Sequence, residues 1–93
     1  MSTLHTVNKT AATNALEACL RVASSGDSLL LLEDGVYQAS KLVQLPVAKT
    51  LQLFALKEDV TARGIKLPAT VTPIDYAQFV DLVCQQQRSV SWF

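Results

Sequence analysis

Four consecutive leucines, Leu29 to Leu32, sit between two turn signals, Gly26-Asp27 before them and Asp34-Gly35 after. The run is too short to span a membrane and lacks the alternation of a half-exposed strand. It predicts a central strand buried on both faces, the kind found in parallel sheets covered by helices. Other apolar segments fit the same sheet. Leu4-His5-Thr6-Val7 alternates as a first strand, and Leu51 to Leu56 is a nearly continuous third. Val71 to Ile74 reads as a short fourth strand, placed near an edge by Pro73, which has no amide to donate. Ser89 to Phe93 alternates again as a fifth.

Between these strands the period changes to that of a helix. Leu16, Cys19, Leu20 and Ala23 recur at i, i+3, i+4, i+7, with Asn14 and Glu17 spaced as a capping box and Gly26 as a stop. Val36 to Leu45 fits a second helix that ends before Pro46. Val60 to Arg63 gives a helical turn or two, stopped by Gly64. The last helix has the strongest start signal: Asp75 and Gln78 as a capping box, with Ile74 and Phe79 as a hydrophobic staple across it. Its predicted buried face is Tyr76, Phe79, Val80, Val83 and Cys84. Strands alternating with short helical crossovers imply right-handed βαβ units. The expected fold is a single α/β domain over residues 1–93, a three-layer α/β/α sandwich on a mainly parallel sheet of about five short strands.

Composition adds the expectation of a partner. A 93-residue chain leaves much surface per volume, yet 49% of its residues are hydrophobic and its mean hydropathy is +0.25. Some of that apolar surface is expected to be covered by another chain. Lys+Arg and Asp+Glu balance at 8 each, with no strongly basic window, which disfavours direct nucleic-acid binding. Neither a signal-peptide pattern nor a long apolar span is present, so a cytoplasmic protein with no membrane association is expected. Cys19 and Cys84 match no zinc or redox spacing and read as free thiols.

Function in an open parallel sheet sits beyond the C-terminal ends of the strands. Three segments fall there: Asn8 to Asn14, Glu33-Asp34-Gly35 and Lys57-Glu58-Asp59. Acidic residues at helix starts cap the helix and repel phosphate, and no glycine-rich nucleotide motif is present. Glu33, Asp34, Glu58 and Asp59 are candidates for a carboxylate cluster, but helix caps and a solvated rim are the favoured reading. With a single histidine, His5, no metal or other cofactor is expected. His5 reads as a structural residue at the sheet margin, without an acidic neighbour in sequence. Cys19 and Cys84 are the available strong nucleophiles, but both are placed on packed helix faces. Trp92 and Phe93 either fold back on the sheet or serve an interface.

The segments Leu4-His5-Thr6-Val7-Asn8, Leu31-Leu32-Glu33-Asp34-Gly35-Val36, Ala55-Leu56-Lys57-Glu58-Asp59-Val60-Thr61-Ala62-Arg63-Gly64 and Ile74-Asp75-Tyr76 through Phe79-Val80-Asp81-Leu82 to Trp92 together resemble the TusB/DsrH family. Order, spacing and length agree over nearly the whole chain, least well between Gln38 and Thr50. The resemblance implies a DsrE/DsrH-like fold and a non-catalytic subunit of a heterohexameric persulfide relay. The implied sister subunits are of TusC/DsrF and TusD/DsrE type, with a TusE/DsrC-type sulfur acceptor. In such complexes the main sulfur-carrying cysteine belongs to a sister subunit, in the loop after a central strand. The comparable loops here contain Glu33-Asp34-Gly35 and Lys57-Glu58-Asp59, without cysteine. The relay is expected to serve 2-thiolation of the tRNA wobble uridine. One alternative is a sulfur-oxidation complex in which Cys19, a first-helix cysteine like that of DsrH-type members, contacts the sulfur. Another is a homo-oligomeric α/β binding module.

Overall fold

The structure, a computed structural model, describes residues 2–10 and 14–92. Five parallel strands, β1 (Thr3–Val7), β2 (Ser28–Leu31), β3 (Gln52–Leu56), β4 (Thr72–Ile74) and β5 (Arg88–Trp92), form one sheet in the order β4-β3-β2-β1-β5. The leucine run supplies the central strand as expected: Leu29, Leu30 and Leu31 are all fully buried. Pro73 lies in edge strand β4, where its missing amide breaks no inner ladder.

Four α-helices make the crossovers: α1 (Ala15–Val22), α2 (Ala39–Leu42), α3 (Lys57–Ala62) and α4 (Tyr76–Gln85). The first three connections step in one direction across the sheet, so right-handed crossovers place them on one face. There Val7, Leu29 and Leu31 pack with Leu16 and Cys19 of α1 and with Leu42 of α2. The connection from β4 to β5 returns across the sheet and puts α4 alone on the other face. That second core is small: Leu4, Leu30 and Ile74, with Phe54, Phe79 and Leu82 packed against them. The three layers are therefore unequal.

Several local expectations are corrected. The Asn14–Glu17 capping box does not form: Asn14 is left-handed at φ 56° with no side-chain cap bond, and Glu17 accepts from Lys41 Nζ at 2.8 Å instead. The second helix, expected over Val36 to Leu45, is instead a 3-10 segment (Glu33–Gln38) and the single turn of α2; beyond it a further 3-10 segment begins at Pro46 (Pro46–Thr50). Gly35 dictates the first break. It packs so closely on β1 that a Cβ there would collide with the Val7 carbonyl oxygen. That oxygen is already fixed by accepting the Leu32 amide at 3.1 Å. Helix α3 starts directly off β3 at Lys57, earlier than its apolar pattern suggests.

The largest correction concerns α4. Its capping box forms, with Asp75 accepting from the Gln78 amide and Gln78 from the Asp75 amide, both at 2.8 Å. Of the expected buried face only Phe79 turns inward: Tyr76 is 61% exposed, Val80 49% and Val83 39%, and Cys84 is exposed as well. The helix rests on Phe79 and Leu82, which meet Phe54 and Ile74. Both the inner and the outer stripe are apolar, so periodicity alone does not say which one meets the sheet.

Replacing Gly35 by alanine tests the close approach to β1. Because the obstacle is a backbone atom, Gly35→Ala should lower stability by about 2–3 kcal/mol in urea unfolding, as overpacking of a tight site does. An unchanged midpoint would show that the 3-10 segment can move away from β1.

Candidate functional site

Two places concentrate polar side chains: the strand ends where function was expected, and a buried group near the start of β1. At the strand ends, Glu33 takes a left-handed backbone conformation, φ 50°, directly after the central strand. A non-glycine residue held there is strained and persists only if its surroundings enforce it. Asp59 does so by accepting the Glu33 amide at 2.6 Å. Arg63 binds both neighbouring carboxylates, donating Nε–H to Asp34 at 3.0 Å and an η nitrogen to Asp59 at 3.4 Å. Glu58 accepts the Tyr76 amide at 3.3 Å, which links α3 to the start of α4.

The structure thus brings Glu33, Asp34, Gly35 and Asp59 together, with Glu58 turned to α4. The Asp34 and Asp59 carboxylates converge on Arg63, while Asp59 and Glu58 also accept backbone amides. Among the described residues no group of three or more His, Cys, Asp and Glu side chains is arranged to hold a metal ion. The arrangement stiffens two loops and presents Glu33 and Tyr37 to solvent.

Sequence reasoning missed the second group. His5, 4% exposed, lies on an inner strand and not at the margin, because β5 pairs outside β1. Its Nε2 is 2.9 Å from Asp27 Oδ2, and Trp92 Nε1 is 3.1 Å from its Nδ1. An indole N–H can only donate, so Nδ1 accepts and Nε2 carries the hydrogen given to Asp27. Both ring nitrogens are used, which removes His5 as a general base. Asp27 also accepts the amides of Thr3 at 3.1 Å and Ser24 at 2.9 Å. Burial by itself raises the Asp27 pKa. The Ser24 amide, His5 and the Thr3 amide outweigh it and hold the carboxyl below its ordinary value. A pocket of about 570 Å³ opens over this group, with Val22, Arg88 and Val90 among its walls. The available signal was Asp27 itself: a carboxylate at the mouth of a fully buried strand needs donors, and the parallel register brings β1 to it.

Cys19 is fully buried, and burial, followed by the nearby Asp27 charge, pushes its thiol up to about 12. A thiolate there is disfavoured twice. Cys84 is exposed near the end of α4. Trp92 is half-buried and folds back on His5, their rings 6.2 Å apart between centroids. Phe93 lies outside the described residues. No helix among the described residues is long and apolar enough to cross a membrane.

Known proteins can be set beside this geometry. A family model described as DsrH-like protein matches residues 10–89. Proteins named TusB from Yersinia pestis and Yersinia pseudotuberculosis are each 38% identical over 94 residues, covering 96% of this chain and 99% of theirs. Among solved structures, the ychN protein of E. coli superposes with a TM-score of 0.78 at 15% identity, covering 97% of each chain. Tm0979 of Thermotoga maritima gives 0.69 at 24% identity, covering 91% of this chain and 94% of that one. These two likenesses concern the fold alone.

Two measurements follow from the site. In the native protein, iodoacetamide should modify Cys84 and leave Cys19 untouched until denaturant is added, read by mass spectrometry of the peptides. Asp27→Ala should cost about 3 kcal/mol, because it strands buried donors. In the unaltered protein Asp27 stays charged to a lower pH folded than unfolded. Its contribution is complete above the unfolded value of about 3.9 and is lost as pH falls through its lower folded value. Acid unfolding curves of the two proteins should therefore converge at low pH.

Proposed function

Since this chain belongs to the TusB/DsrH family, we propose that it is the non-catalytic subunit of a persulfide sulfur-relay complex serving 2-thiolation of the tRNA wobble uridine. In this reading it joins sister chains of TusC/DsrF and TusD/DsrE type in a heterohexamer and delivers to a TusE/DsrC-type acceptor through them. The observation that carries the reading is the chemistry of the strand ends. In the resemblance stated above, a sister subunit carries its sulfur on a cysteine in the loop after a central strand. Here that loop holds Glu33, whose amide is fixed by Asp59, and Asp34, paired with Arg63. Carboxylates at this position do not form persulfides and repel the anionic thiolate that does.

Burial of Cys19 supports the same division of labour. A sulfur-accepting thiol has to meet its donor, and this one is sealed between α1 and the sheet with its pKa raised. That burial counts against the alternative in which Cys19 takes part in the persulfide transfer. The apolar surface expected from composition has a place as well: the outward stripe Tyr76, Val80 and Val83 on α4 gives sister chains a surface that excludes water. The chain's contribution is then to hold the sister subunits and to shape the rim around their reacting sulfur. The neighbouring acidic residues keep that rim electrostatically distinct from a phosphate site.

Native mass spectrometry of the tagged chain drawn from its own cells tests this reading. The expected result is a hexamer with two related small chains, each present in as many copies as this one. An assembly that lacks both related chains, whatever the number of copies of this one, would refute the relay assignment.

A further inference from the structure

The two edges of the sheet are built differently. Strand β4 is three residues long and carries Pro73, a combination that discourages another strand from pairing with it. Strand β5 is five residues long, without proline, and pairs only with β1. Among the described residues no other strand pairs with its outer edge. Natural proteins blunt such edges, and this one is left open.

The side chains of β5 also have an internal symmetry. Arg88, Val90 and Trp92 point to the α1 face, where they line the pocket over His5. Ser89 and Ser91 point to the other face, where Thr6 Oγ1 donates to Ser91 Oγ at 3.1 Å. Reversing the strand about Val90 exchanges serine for serine and arginine for tryptophan. Arg88 is exposed and makes no ion pair among the described residues, while Trp92, at the other end of the strand, is half-buried. Val22 at the end of α1, 58% exposed, extends the apolar surface on the same side.

We propose that β5 is the two-fold seam of a homodimer, pairing antiparallel with β5 of a second copy of this chain, centred on Val90. In that register Arg88 faces Trp92 of the other copy, a cation–π contact made twice. Ser89 faces Ser91 of the other copy, so hydroxyls meet hydroxyls. Val90 meets its own symmetry mate, and a closed, isologous pair results. The two five-stranded sheets become one, parallel within each copy and antiparallel at the junction. A strand of different sequence gains the backbone bonds but not the doubled arginine–tryptophan match, which is why the second copy is the favoured occupant. The seam stands apart from the relay reading: it concerns the chain alone, whereas that reading concerns which other chains accompany it.

Register-specific cross-linking of the purified full chain tests the seam. In a Cys84→Ser background, Val90→Cys puts two thiols directly opposite, where antiparallel Cα atoms are about 4.5–5.5 Å apart and a disulfide fits. Arg88→Cys puts its two thiols four residues out of step, roughly 13 Å along the strands, too far to bridge. Diamide should convert the Val90→Cys chain to a covalent dimer on a non-reducing gel and leave the Arg88→Cys chain monomeric. Without added cysteine, sedimentation of the unaltered chain over a concentration series should show a reversible dimer. Ser89→Lys/Ser91→Lys, which places lysines opposite lysines, should sediment as a monomer with an unchanged circular dichroism spectrum. A monomeric Val90→Cys chain, cross-linking of both cysteine variants alike, or an unaltered chain that stays monomeric would overturn the proposal.

Discussion

A single carboxylate at the entrance to the central strand organises one side of this molecule. Asp27 accepts two main-chain amides, one opening β1 and one just past α1, and so fixes where both elements lie relative to β2. It also makes a buried imidazole tolerable. A polar ring inside a sheet is costly unless its nitrogens are partnered. Asp27 takes one nitrogen of His5, and the ring then turns an acceptor toward β5 that suits only a donor. Trp92 supplies it with a group that cannot do otherwise. Residues 5, 27 and 92 thereby lock three strands through side chains as well as through the backbone ladder.

The opposite end of the sheet uses charge differently. Near Asp27 the carboxylate is sealed and donated to from several sides; at the strand ends Asp34 is exposed, Asp59 partly so, and Arg63 gathers the two. The left-handed turn at Glu33 and the tight seating of Gly35 on β1 show why the gathering is needed. The chain leaves β2 under strain, drops at once into a 3-10 turn, and would relax if the Glu33 amide lost Asp59. A loop held this firmly offers a partner a preformed surface rather than a responsive one.

How much of this was legible depended on the range of the interactions. The leucine run, the edge position signalled by Pro73 and the Asp75–Gln78 cap could be read because each is decided within a few residues. The split of the second helix was not, because Gly35 is required by the carbonyl of Val7, a distant neighbour in sequence. The orientation of α4 was legible only at Phe79: Tyr76-Val80-Val83 and Phe79-Leu82 are rival apolar stripes, and only the narrow second core selects between them. Of the candidate site, the residue types at the strand ends were visible, but not that Arg63 and the Glu33 amide would gather Asp34 and Asp59. The His5–Asp27–Trp92 group was hidden, since its members meet only once parallel register brings three separate segments together.

The strand order has a consequence for how the domain is made. Strand β5 lies beside β1, and the Thr6–Ser91 bond joins residues 85 positions apart. Closing so long a loop is entropically slow and gains nothing until both ends are present. During synthesis β1 to β4 can assemble while His5 still lacks its indole donor and the outer edge of β1 stands unpaired. The nascent sheet thus passes through a four-stranded stage with an inner strand temporarily at its border. Until Trp92 emerges, that border is where a growing chain would be held by a chaperone or captured by the wrong neighbour.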